Sequence, residues 1–312
     1  MAGRHGGSKK IVYAALAGNA CIAVLKFTVA IVARSSALMA EGFHSMADTG
    51  NQALLLYGIK KSAQTPDRKH PFGYGKEQYF WSFVVANMLF MVGAVAAIYE
   101  GILKIRNPQP LERPHLVYAI LAISFLIESI VFAVAVRKFL REKGDRGVLE
   151  ELKGTKDSNL VVVLLEDTAA LVGLVIAFIG TFLVQVTGLP FYDGVASILI
   201  GVVLALVALF LANEMKKLLI GESASDENLK RIQETITQFP EVDALGSIYT
   251  MHLGPDDILL AVNIDFADQI PTGELEGVID LIEEEIKACV PEVKQIFIEA
   301  DTIKGYKPFT GT

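Results

Sequence analysis

The chain has 312 residues, of which 52% are hydrophobic, and its mean hydropathy of +0.44 excludes an ordinary water-soluble globular protein. Its formal charge of −7 is divided unevenly: residues 1–213 carry 20 Lys and Arg against 15 Asp and Glu, whereas residues 214–312 carry 8 against 20. An acidic second part argues against nucleic acid as a partner and suits a protein that handles cations.

Six apolar segments precede residue 214, and each is long enough for a transmembrane helix of about 20 residues. They lie at 11–33, 38–60, 79–103, 115–140, 159–185 and 190–213. No small-residue cleavage site follows the first segment, so we expect it to remain as a helix. The sequence therefore predicts an integral, multi-pass membrane protein with a six-helix transmembrane domain at 1–213 and a cytoplasmic domain at 214–312.

The basic residues predict the orientation of these spans, because short cytoplasmic loops are enriched in Lys and Arg. The amino terminus and the loops at 60–77 and 137–156 carry 15 basic residues, and the alternate loops carry only Arg34, Lys104, Arg106 and Arg113. Both termini are therefore expected in the cytoplasm. The lack of an Arg- and Ser-rich transit segment favours a bacterial cell (inner) membrane as the location.

Polar residues interrupt the second span, where an ionisable group is expected to face a partner or an aqueous path. His44 and Asp48 are four positions apart and share one helix face, which Asn51 extends. An imidazole nitrogen and a carboxylate oxygen one turn apart can bind one divalent cation such as zinc. The alternative is that these residues only make hydrogen bonds between packed helices.

The fifth span contains two adjacent acids, Glu166 and Asp167, within the apolar run VVVLLEDTAALVG. Adjacent helical positions point about 100° apart, so at most one of these carboxylates can point directly at a site shared with the second span. The two spans together make a four-ligand tetrahedral metal site plausible.

Three other polar residues of the spans have structural explanations. Lys26 in the first span and Glu128 in the fourth could pair with acids elsewhere or extend towards the membrane surface. Asp193 begins the sixth span and is expected to cap that helix. No disulfide is expected between Cys21 and Cys289, which the topology puts in different compartments.

The motif EGFHSMAD in the second span, the segment HPFGYGK that follows it, the six spans and the polar tail resemble the cation diffusion facilitator family. The resemblance covers nearly the whole chain. It implies a proton-coupled exporter of zinc or a related divalent metal. The segment LLEDTAA is similar to the corresponding segment in the branch of the family that contains the animal mitochondrial zinc exporters.

The family resemblance also implies which residues bind the metal. His44 and Asp48 match the family's pair in the second span, and Asp167 matches the second residue of the pair in the fifth. The first residue of that pair falls on Val163, which cannot bind a metal, and Glu166 is its natural replacement.

A second metal site, found in the loop after the second span of some family members, matches this chain only in part. Asp67 and His70 fit the loop pattern, but Tyr74 stands where the pattern has a His. The alternative is that this segment is a turn-rich connection whose Pro and Gly residues set the backbone shape.

Residues 214–312 predict a small α+β domain with the order αββαβ: a helix at 225–240, strands at 244–252 and 257–266, a helix from Thr272 and a last strand at 293–301. It resembles the family's ferredoxin-like domain, which implies a homodimer. Metal ligands are scarce in it: His252 is expected to face solvent, and Glu299 and Asp301 lie where relatives place ligands.

The leading hypothesis is a secondary transporter that exports a divalent cation from the cytoplasm across the lipid bilayer in exchange for protons. Zinc is the preferred ion, with manganese, iron, cobalt and cadmium as alternatives. The alternative function is a membrane metal sensor or scaffold that binds metal without transporting it. An enzyme is not expected, and the sequence contains neither a His-Glu-x-x-His motif nor an ATP-binding phosphate loop.

Overall fold

The computed structural model describes residues 5–143 and 158–301. In the first part of this range six long helices follow one another, and they agree with the six apolar segments predicted above. They are α1 (His5–Ala33), α2 (Ser36–Ser62), α3 (Glu77–Arg106), α4 (Pro114–Lys143), α5 (Ser158–Thr187) and α6 (Phe191–Ile220). The basic loop predicted at 137–156 lies mostly outside the described residues.

Four of the described helices, α3 to α6, are long and apolar enough by themselves to cross a membrane. Helix α1 contributes a shorter apolar stretch at Asn19–Ala33. Helix α2 is the least apolar because it carries the charged and amide side chains noted above, many of them buried against other helices. The helical prediction is confirmed, and Glu41, His44, Ser45 and Asn51 of α2 are buried.

The chain divides into two compact units, and the division does not follow the sequence order. The first unit contains residues 1–60 and 80–216, and the second contains residues 217–312 together with the segment 61–79 that joins α2 to α3. This connecting segment therefore packs as part of the second unit.

Small residues let α3 and α6 pack closely in the first unit. An added Cβ at Gly101 would lie 2.6 Å from the carbonyl oxygen of Gly194, and one at Gly201 would lie 2.8 Å from that of Ala94. Beside them the Ser197 hydroxyl donates a hydrogen bond of 2.7 Å to the carbonyl of Ala97. Close backbone approach of this kind is how helices associate tightly inside a membrane, where the hydrophobic effect does not drive them together.

Asp193 caps α2 rather than its own helix, so the cap predicted for α6 is wrong. Its carboxylate accepts hydrogen bonds from the Ser35 hydroxyl at 2.8 Å and from the backbone N–H groups of Ser36 and Ala37 at 2.5 and 3.2 Å. Lys104 of α3 lies 3.6 Å from the same carboxylate and also donates to the Arg34 carbonyl. A buried acid from α6 thus satisfies the first amides of α2 and joins three helices.

The second unit contains helices α7 (Asp226–Ile236) and α8 (Thr272–Cys289) and strands β1 (Val242–Gly254), β2 (Asp257–Phe266) and β3 (Val293–Ala300). The Ser225 hydroxyl caps α7 by accepting the N–H of Asn228 at 3.2 Å. Strand β2 is central, antiparallel to β1 and parallel to β3. The predicted αββαβ order is confirmed.

Both helices cover one face of this sheet. Alternate residues of β2 are buried (Ile258, Leu260, Val262, Ile264 and Phe266), and they form one core with apolar residues of α7 and α8. The period of two along β2 reflects the alternation of side chains between the faces of a strand. The opposite face of the sheet carries no helix of the described chain.

The connecting segment 61–79 packs on strands of the same unit. Gly75 lies so close to the Leu253 carbonyl and to Gly254 that no side chain fits there, and the Lys76 ammonium lies 3.5 Å from the Met251 sulfur. The rings of Phe72 and Phe297 meet edge to face with centroids 6.3 Å apart.

His252 was expected to face solvent, but its side chain is buried, and its Nδ1 lies 3.4 Å from the Gly254 carbonyl oxygen. The expectation was wrong because His252 is in register with Ile258, whose side chain belongs to the core that α7 and α8 cover. This pairing between strands is not visible in the local sequence around His252.

Replacing Asp193 with Ala should lower the free energy of unfolding by about 3 kcal/mol, because the change removes the α2 cap and leaves the Lys104 ammonium buried without its carboxylate. The control is Asp193→Asn, whose amide oxygen can still accept from Ser36 and Ala37 and should cause a smaller loss. Thermal unfolding of the full chain in detergent measures both. Equal melting temperatures for Asp193→Ala and the unchanged protein would contradict the assignment.

Candidate functional site

Helix α2 presents its polar residues in one continuous stripe. The Nε2 of His44 lies 3.5 Å from Oδ2 of Asp48, as the spacing of four predicted. Neither ring nitrogen of His44 has a hydrogen-bond partner among the described residues, and Oδ1 of Asp48 has none. Buried polar atoms without partners are costly, so these atoms are candidates for binding something else.

Helix α5 brings the second half of the predicted ligand set towards α2. The side-chain amide of Asn51 donates to Oε1 of Glu166 at 2.5 Å and so joins the two helices. The Asp167 carboxylate keeps one oxygen, Oδ2, without a partner in the described structure. The two adjacent acids therefore have different surroundings, as expected for neighbouring helical positions.

A cavity of about 70 Å³ lies between these helices, α1 and α4. Three predicted ligands line it, Asp48 from α2 and both Glu166 and Asp167 from α5. His44 is not among the lining residues, but it contacts Asp48. Glu128 of α4 and Ser45 of α2 line it as well. Four carboxylates around one small cavity form a strongly cation-attracting environment.

The donors surround the cavity without closing on one point. Among the described residues no group of three or more His, Cys, Asp or Glu side chains is arranged closely enough to hold a single metal ion. The four-ligand site of His44, Asp48, Glu166 and Asp167 stays a prediction.

A buried ion pair flanks the cavity, and the sequence alone did not reveal it. Lys26 of α1 donates to Oε2 of Glu41 at 3.0 Å and to the Ser45 hydroxyl at 2.8 Å. The sequence left open whether Lys26 pairs with an acid or extends towards the membrane surface, and the structure shows the first, with Glu41, 15 positions away, as the partner. The sequence offered one signal for Glu41: it precedes His44 by three positions, so the two side chains are neighbours on the surface of α2.

The loop candidates Asp67 and His70 lie in the second unit and form a hydrogen-bonded turn. Asp67 accepts the Tyr74 hydroxyl at 2.8 Å and the backbone N–H groups of Lys69 and His70 at 2.8 and 2.7 Å. The Tyr74 hydrogen bond, with help from these backbone donors, holds the pKa of Asp67 below its usual value. Tyr74 thus completes the turn at the position where the family pattern has a His.

The candidates of the carboxyl-terminal domain lie at opposite ends of the sheet, with His252 at one end and Glu299 and Asp301 at the other. Glu299 accepts a hydrogen bond from Asn263 across β2 and β3, and Asp301 follows β3 at the surface. His252 is at the end of β1.

Comparison with known families identifies the chain. The model of the cation efflux transmembrane domain matches residues 12–220, and that of the cytoplasmic domain of cation efflux proteins matches residues 224–303. The chain belongs to the cation efflux family. This confirms the resemblance to the cation diffusion facilitators, a family of transporters rather than enzymes.

Several relatives are similar to this cation efflux chain. The human protein named proton-coupled zinc antiporter SLC30A9, mitochondrial, is 34% identical over 268 residues, which are 85% of this chain and 47% of the relative. Metal tolerance protein C4 of Arabidopsis thaliana is 34% identical over 84% of this chain and 58% of its own length. The chain thus spans about half the length of these relatives.

A bacterial relative covers the chain more evenly. The manganese efflux system protein MneP of Bacillus subtilis is 24% identical over 296 residues, which are 94% of this chain and 96% of the relative. The family therefore includes relatives named for zinc and a relative named for manganese.

Glu166→Gln tests whether Glu166 binds the metal or only forms a hydrogen bond, because the glutamine amide can still accept from Asn51 but carries no charge. We expect zinc binding to weaken by about tenfold, the loss of one charged donor. Isothermal titration of the full chain in detergent measures the dissociation constant. The control, Asn51→Ala, removes the hydrogen bond and keeps the carboxylate. Unchanged affinity in Glu166→Gln would leave Glu166 only a positioning role.

Proposed function

We propose that this protein exports a divalent metal, preferentially zinc, from the cytoplasm in exchange for protons. The observation that carries the proposal is the cavity lined by Asp48, Glu166 and Asp167, with His44 in contact with Asp48, inside a bundle that has a large apolar core. These residues would bind the transported ion as substrate. The names of the similar relatives support an antiporter and zinc as the first ion to test.

The metal choice rests on the types of donor. One imidazole with carboxylates suits zinc-like ions better than magnesium or calcium, which prefer oxygen alone. Three carboxylates to one imidazole also make the set rich in oxygen, so manganese, iron, cobalt and cadmium are secondary candidates. The B. subtilis relative named for manganese efflux supports including manganese in the ion panel.

Proton exchange follows from the same donors. Imidazole nitrogen and carboxylate oxygen bind either a metal ion or a proton, so the two ligands compete for one set of atoms. An empty site would keep several like charges in a poorly solvated cavity, and protons relieve their repulsion. Because no ATP-binding phosphate loop occurs in the sequence, the proton gradient is the proposed energy source.

Binding should also move helices. The described donors surround the cavity without enclosing an ion, so capture requires α2 and α5 to bring Asp48 and Asp167 closer together. The metal would then bind more tightly to one arrangement of the bundle than to the other. Alternating access requires such a difference in binding free energy between two arrangements. A sensor or scaffold, the alternative function, would bind the ion without this exchange between two sides.

The topology, domains and secondary sites remain part of the proposal. The distribution of basic residues among the loops supports a topology with both termini in the cytoplasm, and we propose the bacterial cell (inner) membrane as the location. The transport domain is proposed at 1–213 and the cytoplasmic domain at 214–312. Asp67 and His70 are a secondary metal candidate. A metal there must compete with the three hydrogen bonds that Asp67 already accepts.

A homodimer is proposed through the open face of the cytoplasmic sheet. Tyr249 and Phe297 are each 54% exposed there, and both are in register with Ala261 of the central strand. This cross-strand row of aromatic side chains lies opposite the face that α7 and α8 cover. The Phe72 ring meets Phe297 at this face, which no described helix covers. Large exposed aromatic residues on such a face are typical of an interface core.

Asp48→Ala and Asp167→Ala should each reduce transport to background, because each removes a carboxylate of the cavity. The measurement is zinc flux in proteoliposomes with an imposed pH gradient, followed together with internal pH. Zinc and protons should move in opposite directions, and collapse of the pH gradient should stop uphill zinc movement.

The matched control is Asp268→Ala, an exposed acid of the second unit, which should transport normally. Full-rate flux in either cavity variant would reject the assignment. Zinc binding without flux in the unchanged protein would favour the sensor.

Tyr249→Glu should weaken the dimer by about 2 kcal/mol, roughly thirtyfold in the dissociation constant, because it buries a charge in the interface core. Leu281→Glu is the control, since Leu281 is also 54% exposed but lies on the outer face of α8. Light scattering of the full chain in detergent measures association. A chain that is monomeric at micromolar concentration before any substitution rules out this dimer.

A further inference from the structure

Lys26 places a positive charge where a cation transporter would be expected to avoid one. Its side chain and that of Glu41 are both 0% exposed, and the Ser45 hydroxyl that accepts its second hydrogen bond lines the cation cavity. An ammonium this close opposes the binding of a divalent ion. A bundle that needed only packing here could use an apolar residue, often at no loss of stability.

The Lys26–Glu41 pair lies beyond one end of the cavity, as the positions of the lining residues on α1 and α2 show. On α1 the cavity is lined by Asn19 and Ile22, and Lys26 follows one turn later. On α2 the lining stripe begins at Ser45, and Glu41 lies one turn before it. The helices run in opposite directions, so both residues are displaced towards the turn that joins α1 to α2.

Helix α5 also contacts the ion pair at this end of the cavity. Its cavity-lining residues end at Asp167, and Gly173 lies nearly two turns further along. The Oε1 atom of Glu41 lies against Gly173, where an added Cβ would force the Glu41 carboxylate to shift. Three helices therefore meet at the Lys26–Glu41 pair, on the side that the proposed topology assigns to the cell exterior.

Glu41 also has unused capacity to bind a cation. Lys26 occupies only Oε2, and Oε1 has no hydrogen-bond partner among the described residues although it is fully buried. A buried carboxylate oxygen without a donor is satisfied when a cation arrives.

We propose that the Lys26–Glu41 pair is the closed outer gate of the transport cavity, and that Glu41 receives the departing divalent ion when that ion displaces the Lys26 ammonium. This inference rests on the proposed transport function and adds a step to it. While the cavity faces the cytoplasm, Lys26 holds Glu41 and blocks the exit. When the ion moves outward, it neutralises Glu41, and Lys26 is left with Ser45 and the emptied carboxylates of the cavity.

The variants Lys26→Met, Glu41→Gln and the double variant separate a gate from a structural ion pair. Lys26→Met leaves an unpaired carboxylate near the cavity and should tighten zinc binding about tenfold, whereas Glu41→Gln leaves an unpaired ammonium and should weaken it by a similar factor. The double variant restores neutrality and should return towards the original dissociation constant. A structural pair would make both single variants bind more weakly, because each leaves one buried charge without its partner.

Transport adds the second readout. In proteoliposomes Lys26→Met should lower both KM and the maximal rate, because zinc is retained at Glu41. The double variant should bind zinc normally and still transport at least about tenfold more slowly, because the receiving carboxylate is absent. Wild-type flux in the double variant, or weaker binding in both single variants, overturns the gate.

Two controls complete the experiment. Lys26→Arg keeps the charge and should preserve the zinc affinity. Lys104→Met removes another buried lysine, one that pairs with Asp193 away from the cavity, and should lower the melting temperature without shifting zinc affinity. If the unchanged chain binds zinc but shows no flux, the transport function fails, and the order of the dissociation constants alone decides whether Glu41 and Lys26 act on the bound ion. If it does not bind zinc, both proposals fail.

Discussion

A charged group inside an apolar helix bundle must find a partner, and this constraint organises the membrane domain. Lys26 is neutralised by Glu41, Asp193 by the first amides of α2 and by Lys104, and Glu166 accepts a hydrogen bond from Asn51. Each contact joins different helices, so polar pairing also determines how the helices pack. The same rule draws attention to His44, Asp48 and Asp167, which have polar atoms without a partner among the described residues; the two acids line one cavity and His44 contacts Asp48.

Helix α2 is the element on which these contacts converge. It is capped by Asp193 from α6, paired through Glu41 with α1, joined to α5 by Asn51 and followed by a segment that belongs to the second unit. The Gly75 backbone contact and the Phe72 ring hold this segment on the strands of that unit. The chain therefore runs directly from the helix that carries the candidate donors His44 and Asp48 into the second unit.

Much of the site was predictable because the signals are local. The spacing of His44 and Asp48 implies a shared helix face, and the structure places them 3.5 Å apart. Glu166 and Asp167 stood out as acids in an apolar run, and both line the cavity with Asp48. The partner of Lys26, the helix capped by Asp193 and the burial of His252 were missed or wrong, since each depends on residues far apart in sequence.

The sequence by itself determined the six apolar helices, the αββαβ order and the polar stripe of α2, because apolar length, alternation and spacing of three or four are properties of a single element. Tertiary structure alone decided which helices meet. It set Glu41 of α2 against Lys26 of α1 and Gly173 of α5, and it brought the segment 61–79 onto the strands of the second unit. Pairings between elements depend on close packing and on the burial of charge across the whole bundle, and no single helix encodes either.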